Sequence, residues 1–390
     1  MENFDVVLNR KNTTARKWDG MKEVFGTEDL LPMWVADMDF QSPAPVIDAV
    51  VKRAQQGVYG YPLRTTSYFQ AIIDWQKRRY GFSLDREWLI CTPAVVTAIS
   101  VAIQTFTNIG DEILIQTPVY PGFFGCINKN NRQLVENPLQ YTDGRYVMDF
   151  EDLESKINPK VKMIILCSPH NPVGRFWEED ELRRLGELCV SHNIIILADE
   201  MHGDLAFSGH RYIPMSSLSP EISKQTITFI SPAKTFNLTG FYNSVTIIEN
   251  LELREQFFKA LDALELLAGN LFGIVSLEAA YEYGEKWLEE LLVYLEGNSK
   301  YLQSFITEHI PKLHVTIPEG TYLAWIDCRG LNLTKPELHK LFLYQAKVAV
   351  NDGADFGKNG VGFIRLNFGC SRSTLEEGLL RIKKAVDLLP

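Results

Sequence analysis

Several apolar runs end abruptly in polar clusters of different chemistry. VKMIIL (161–166) runs into CSPHNPVG (167–174), NIIILA (193–198) into DEMHGDL (199–205), and QTITFI (225–230) into SPAKTFNLTG (231–240). Lys234 stands on a short turn after a buried strand, where partial desolvation makes an amine nucleophilic enough to form an imine with an aldehyde. A solvated loop lysine is the plain alternative. Asp199 directly follows IIILA, so its carboxylate needs a cation or donors to offset desolvation, unless it caps a helix. Arg365, within FIRLNF (363–368), suits a planar anion such as a carboxylate, or a structural ion pair. Asn171 precedes Pro172 in a turn and has an amide that could donate to a ring oxygen, or is simply a turn residue. Tyr120, in QTPVYPGF, could lie against a planar ligand or belong to an aromatic core.

An anion site is also on offer. The helix expected after TPAVV (92–96) has free N–H groups at Val95 and Val96 and a dipole that favours phosphate, and Ser231 could add a hydroxyl. Together these are the groups that a pyridine-ring phosphate ester needs: an amine, a carboxylate for the ring nitrogen, an amide, a stacking ring and a phosphate cradle.

The elements that must position them alternate along the chain. EILIQ (112–116), VKMIIL, NIIILA and QTITFI interleave with helical patterns such as EEDELRRLGELCV (178–190), the signature of a mostly parallel sheet flanked by helices. In open α/β sheets ligands bind at the carboxyl ends of strands, where these residues stand. Apolar positions Val46, Ile47, Val50, Val51 and Ala54 mark a helix over 44–56. From about 285 the pattern changes to a long helix (286–308), short strands near 321–326 and 347–350, FIRLNF, and a closing helix (374–388). The expected organisation is a large α/β domain over 44–284 and a smaller α+β domain from 1–43 and 285–390.

Composition narrows the function classes. With 390 residues, 46% hydrophobic and 23% charged, the chain can bury a sizeable core and is not expected to be disordered. Its net charge of −10, with no basic run, argues against nucleic acid. No leader-like start or apolar run of ~18 residues is present, so a cytoplasmic protein without membrane attachment is expected. Cys91, Cys126, Cys167, Cys189, Cys328 and Cys370 are scattered without a CxxC pair, which reads as buried free thiols and no metal site.

In order and spacing, PMWVADMDF (32–40), YGYP (59–62), SPHNPVG, ADEMHGDL, SPAKTFN and RLNFGCSR (365–372) resemble the fold type I pyridoxal phosphate (PLP) enzymes of the aminotransferase superfamily. More narrowly, they are similar to the cystathionine β-lyase, or MalY/PatB-type C–S lyase, group. The resemblance implies that Lys234 holds PLP as a Schiff base, that Asp199 pairs with the pyridine nitrogen and that Tyr120 stacks on the ring. It places Asn171 near the ring hydroxyl and the substrate, Ser231, Val95 and Val96 at the phosphate, and His202 beside the cofactor. Arg365 and Ala36 fall to the substrate, and Tyr61 reaches the neighbouring site of a homodimer.

Two positions depart from relatives: Ala94 where glycine is frequent, and Tyr242 where many aminotransferases have an arginine for phosphate. His202 stands where many aminotransferases carry tyrosine and the lyase group has histidine. The implied reaction is α,β-elimination from L-cystathionine or L-cysteine-like substrates to pyruvate, ammonia and a thiol or sulfide. A PLP-dependent aminotransferase is the alternative, and a non-enzymatic regulatory protein on the same fold is a further one.

Overall fold

The structure, a computed structural model, describes residues 2–389. Its centre is a seven-stranded sheet in the order Leu89–Thr92, Ser244–Ile247, Thr226–Ile230, Ile195–Asp199, Val161–Cys167, Glu112–Thr117, Gln133–Pro138. Ser244–Ile247 runs antiparallel to both neighbours and the other pairings are parallel. Buried side chains on both faces explain why the strands read as continuous apolar runs.

Alternation along these strands feeds two cores. Ile113, Ile115, Met163, Ile165 and Leu197 pack on the side of the helix Val95–Phe106. Leu114, Ile164, Leu166, Ile196 and Ala198 pack on the side of the helix Glu179–Ser191, whose Leu182, Leu185, Gly186 and Cys189 form its buried stripe. By the two-residue period Asp199 continues Leu197, so it leaves the sheet on the face of the helix Val95–Phe106.

The C-terminal region forms an antiparallel sheet, His314–Thr316, Leu323–Asp327, Phe363–Asn367, Asn351–Asp352. The helices Glu285–His309 and Arg372–Asp387 pack on each other beside it. The strand expected at 347–350 is divided. Val348–Ala349 pairs in parallel with Leu31–Pro32 from the N-terminal segment, whereas Asn351–Asp352 joins the antiparallel sheet. That pairing carries residues 33–40 across the C-terminal ends of the large sheet. Among the described residues no helix is long and apolar enough to cross a membrane.

Candidate active site

Asp199 is the last residue of its strand and is buried. Burial raises its carboxyl to about 6, opposed by the Met201 N–H, which donates at 3.3 Å, and by the charge of Lys234. It is therefore a carboxylate short of a cation.

Lys234 lies in the short helix Pro232–Thr235, with Ser231 as N-cap. Its amine donates to the Ala36 carbonyl at 2.7 Å. Burial lowers its pKa to about 8, with Arg365 acting in the same direction and Asp37 and Asp199 opposing. An appreciable fraction is then neutral and nucleophilic near neutral pH.

Arg365, in the strand Phe363–Asn367, is 5% exposed. One terminal nitrogen donates to Asn171 Oδ1 at 3.1 Å, and the other to Trp34 O at 2.9 Å and Asn351 Oδ1 at 2.6 Å. All three acceptors are neutral, and its Nε has no partner among the described residues. Burial brings its pKa down to about 10, so it remains cationic at neutral pH. Among the described residues Arg365 makes no ion pair, so the structural alternative is not met. What stands here is a buried guanidinium held by neutral acceptors, with no anion beside it among the described residues.

His202 is buried, and its Nδ1 has no partner among the described residues. Burial, then the charges of Lys234 and Arg365, lower its pKa to about 3, so the imidazole is neutral. Tyr120 lies in the loop leaving Glu112–Thr117, and both Asp199 and Arg365 are near enough to act on its hydroxyl. Its ring folds back over Gly122, where a Cβ would sit 2.2 Å from Tyr120 Cε1, so glycine there makes space for the ring.

The helix Val95–Phe106 starts with no side-chain cap, leaving the Val95 and Val96 N–H groups available to an anion. Ala94 is extended, at φ −157° and ψ 153°, a conformation open to any L residue, so the missing glycine causes no strain. Ser231 is less free than expected. Its hydroxyl donates to Asn243 O at 2.7 Å and accepts from Ala233 N at 3.1 Å, so donation to a phosphate requires the proton to leave Asn243. Tyr61 is fully exposed and stands apart from the other site residues of its own chain.

Residues 34–38 form a strap over the site. Trp34 O accepts from Arg365, Ala36 O from both Lys234 and the Tyr322 hydroxyl at 3.0 Å, and Val35 O and Asp37 O from Asn367. Tyr322, Asn351 and Asn367 were not singled out from the sequence. A tyrosine before the strand Leu323–Asp327 reads as core, and two asparagines in or near short strands carry no signal until the strap crosses them.

A nucleophilic amine, a buried carboxylate lacking a bonded cation and a buried arginine meet at the strand ends of an α/β sheet and define the class, and the comparisons agree. Residues 29–382 match the model of the family aminotransferase class I and II, and the chain belongs to that family. It is 41% identical over 385 residues to cystathionine beta-lyase PatB of Bacillus subtilis, covering 98% of this chain and 100% of that one. Cystalysin from Treponema denticola, solved with a pyridoxal 5'-phosphate cofactor, superposes with a TM-score of 0.97 at 33% identity over 100% of both chains. The PLP-bound C–S lyase of Staphylococcus hominis gives 0.92 at 33%, covering 99% of each.

The residues present fit PLP. Asp199 lacks the cation that a protonated ring nitrogen would supply, Lys234 offers an amine, and the uncapped helix start suits a phosphate. Nδ1 of His202 and Nε of Arg365 are buried without partners among the described residues.

Proposed function

We propose that this chain is a PLP-dependent C–S β-lyase that eliminates a thiol from L-cystathionine or L-cysteine-like amino acids, the remainder being hydrolysed by water to pyruvate and ammonia. The observation that carries the reading is the buried, anion-seeking Arg365 in one cleft with Lys234 and Asp199, in a chain that resembles C–S lyases over its whole length. Bound there, PLP supplies an aldehyde for amines and a protonated ring that draws electrons from the substrate's Cα.

The chain's own residues do the rest. Arg365 grips the α-carboxylate with two parallel N–H bonds, one from a terminal nitrogen that gives up a neutral acceptor such as Asn351 Oδ1, and the strap at Ala36 closes the substrate side. The Lys234 amine is placed to take the Cα proton. Asp199 keeps the proton on the ring nitrogen by being its counter-charge. Tyr120 would pack on the ring face and Asn171 would donate to the ring oxygen, with neutral His202 beside them. Val95 and Val96 N–H groups hold the phosphate, with Ser231 as a further donor when its hydroxyl turns.

The cleft lies between a unit over 44–284, which contributes Lys234, Asp199 and Tyr120, and one from 1–43 and 285–390, which contributes Ala36, Tyr322 and Arg365. The active form is a homodimer in which Tyr61 reaches the neighbour's phosphate site. The run of exposed Val58, Tyr59, Tyr61 and Leu63, with Tyr242 also exposed, supports a covered surface. A cytoplasmic setting suits six buried, unpaired cysteines.

The test is product analysis. Purified holoenzyme given L-cystathionine or L-cysteine should release pyruvate and thiol or sulfide with no keto acid present. Strict dependence on a keto-acid acceptor would make it an aminotransferase instead.

A further inference from the structure

Under the turn that carries Lys234 lies a second carboxylate, Asp204, with no place in the mechanism above. Its Oδ2 accepts from the Thr235 hydroxyl at 2.6 Å. Its Oδ1 accepts from Trp75 Nε1 at 2.9 Å and from the Tyr80 hydroxyl. Trp75 and Thr235 are wholly buried, and Trp75 stacks on Tyr281 with centroids 5.0 Å apart. Arg79 and Tyr80 from the helix Thr66–Tyr80, and Tyr212 and Tyr281, are the charged or titratable groups whose mutual interactions involve Asp204.

A helix of four residues cannot hold its own geometry, so Pro232–Thr235 depends on ties at its two ends. At the front, Ser231 is bonded to Asn243. At the back, the tie is Thr235 to Asp204. Because Asp204 belongs to the turn Gly203–Leu205, which follows Asp199 and His202 in the chain, this bond joins the segment of the ring-nitrogen carboxylate to that of the lysine.

We propose that Asp204 is a positioning residue for Lys234, acting through the Thr235 hydroxyl. The bond sets where the lysine Cα stands, and with it the direction from which the amine meets the cofactor and the Cα proton. The inference rests on reading Lys234 as the cofactor lysine.

The experiment compares wild-type holoenzyme with Thr235→Val, Thr235→Ser and Asp204→Asn. Valine keeps the shape of threonine and lacks the hydroxyl; serine keeps the hydroxyl. The first readout, taken without substrate, is the pH titration of the visible absorbance of lysine-bound PLP, whose midpoint reports the surroundings of the Lys234 nitrogen, namely Asp199, Asp37 and Arg365. The second is the separation of kcat from KM.

Thr235→Val should keep a thermal midpoint close to wild type, displace the absorbance midpoint by about half a pH unit, and lower kcat about tenfold with KM little changed. Thr235→Ser should restore both, and Asp204→Asn should resemble Thr235→Val. A wild-type titration and kcat in Thr235→Val, or no rescue by serine, overturns the proposal while leaving the reading of Lys234 intact. Absence of lysine-bound absorbance in the wild type overturns both. Should Asp204→Asn fail to fold, the valine and serine pair decides.

Discussion

Asp199 and Arg365 are each placed at a cost that a ligand would offset. For Asp199 the sign can be worked out. Its folded pKa of about 6 lies above the ordinary carboxyl value of 3.8, so folding of the apoprotein favours the protonated form. The associated stability is present below the unfolded pKa and is lost as pH rises through the folded one, a change of on the order of 3 kcal/mol. Apo Asp199→Asn should therefore be more stable than apo wild type at about pH 8, with the advantage shrinking toward about pH 4. Urea unfolding of the two apoproteins across pH checks this, and a gap that ignores pH would place the cost elsewhere. Arg365→Lys should lower kcat/KM for every α-amino acid substrate by about tenfold to a hundredfold, because an ammonium cannot reproduce the two-pronged grip. Absorbance should show PLP retained, and loss of the cofactor would assign Arg365 to it.

Elements decide where these side chains point. The two-residue period of Ile195–Asp199 sends Asp199 to the face of the helix Val95–Phe106, so the carboxylate and the uncapped helix start share one side of the sheet. Gly122 acts through space instead, since its missing Cβ is the room that the Tyr120 ring occupies. Gly122→Ala should push the ring off the cofactor face and lower kcat/KM about two- to tenfold, the cost of losing a stacking contact of roughly 0.5–1.5 kcal/mol. An unchanged visible spectrum together with unchanged kinetics would mean that Tyr120 does not stack. Local geometry also accounts for Ala94, whose extended backbone makes a glycine unnecessary at the helix start.

At the scale of the whole molecule, one segment links the parts of the site. The strap at 34–38 accepts hydrogen bonds from Arg365, Lys234, Tyr322 and Asn367, so the N-terminal segment, the large sheet and the small sheet converge on it. The dimer reading has a direct test at this scale. Lys234→Ala and Tyr61→Ala subunits, each inactive or weak alone, should regain about a quarter of wild-type activity when dissociated, mixed equally and reassembled. Half of the dimers are then hybrids, each with one intact site, if the tyrosine acts across a two-fold interface. Activity no higher than the mean of the parents would place Tyr61 outside the neighbour's site.

Chemistry at strand ends was readable from sequence because it is local: a buried run has a β-rich composition, and the polar residue after it must leave the sheet. That is why Lys234, Asp199, Asn171 and Tyr120 stood out, and why four of the seven strands of the large sheet were placed to within a few residues, whereas Leu89–Thr92, Gln133–Pro138 and the antiparallel Ser244–Ile247 were not. What the sequence could not decide is set by contacts between residues far apart in the chain. The partners of Arg365 come from positions 34, 171 and 351, so whether it was an ion pair or a free fork depended on three separate segments meeting. The division of 347–350 followed from pairing with Leu31–Pro32, more than three hundred residues earlier in the chain. Ser231, Tyr322 and Asp204 likewise took their roles from acceptors and donors that only folding brought within hydrogen-bond reach, since such a bond is fixed by distance and direction and residue type specifies neither.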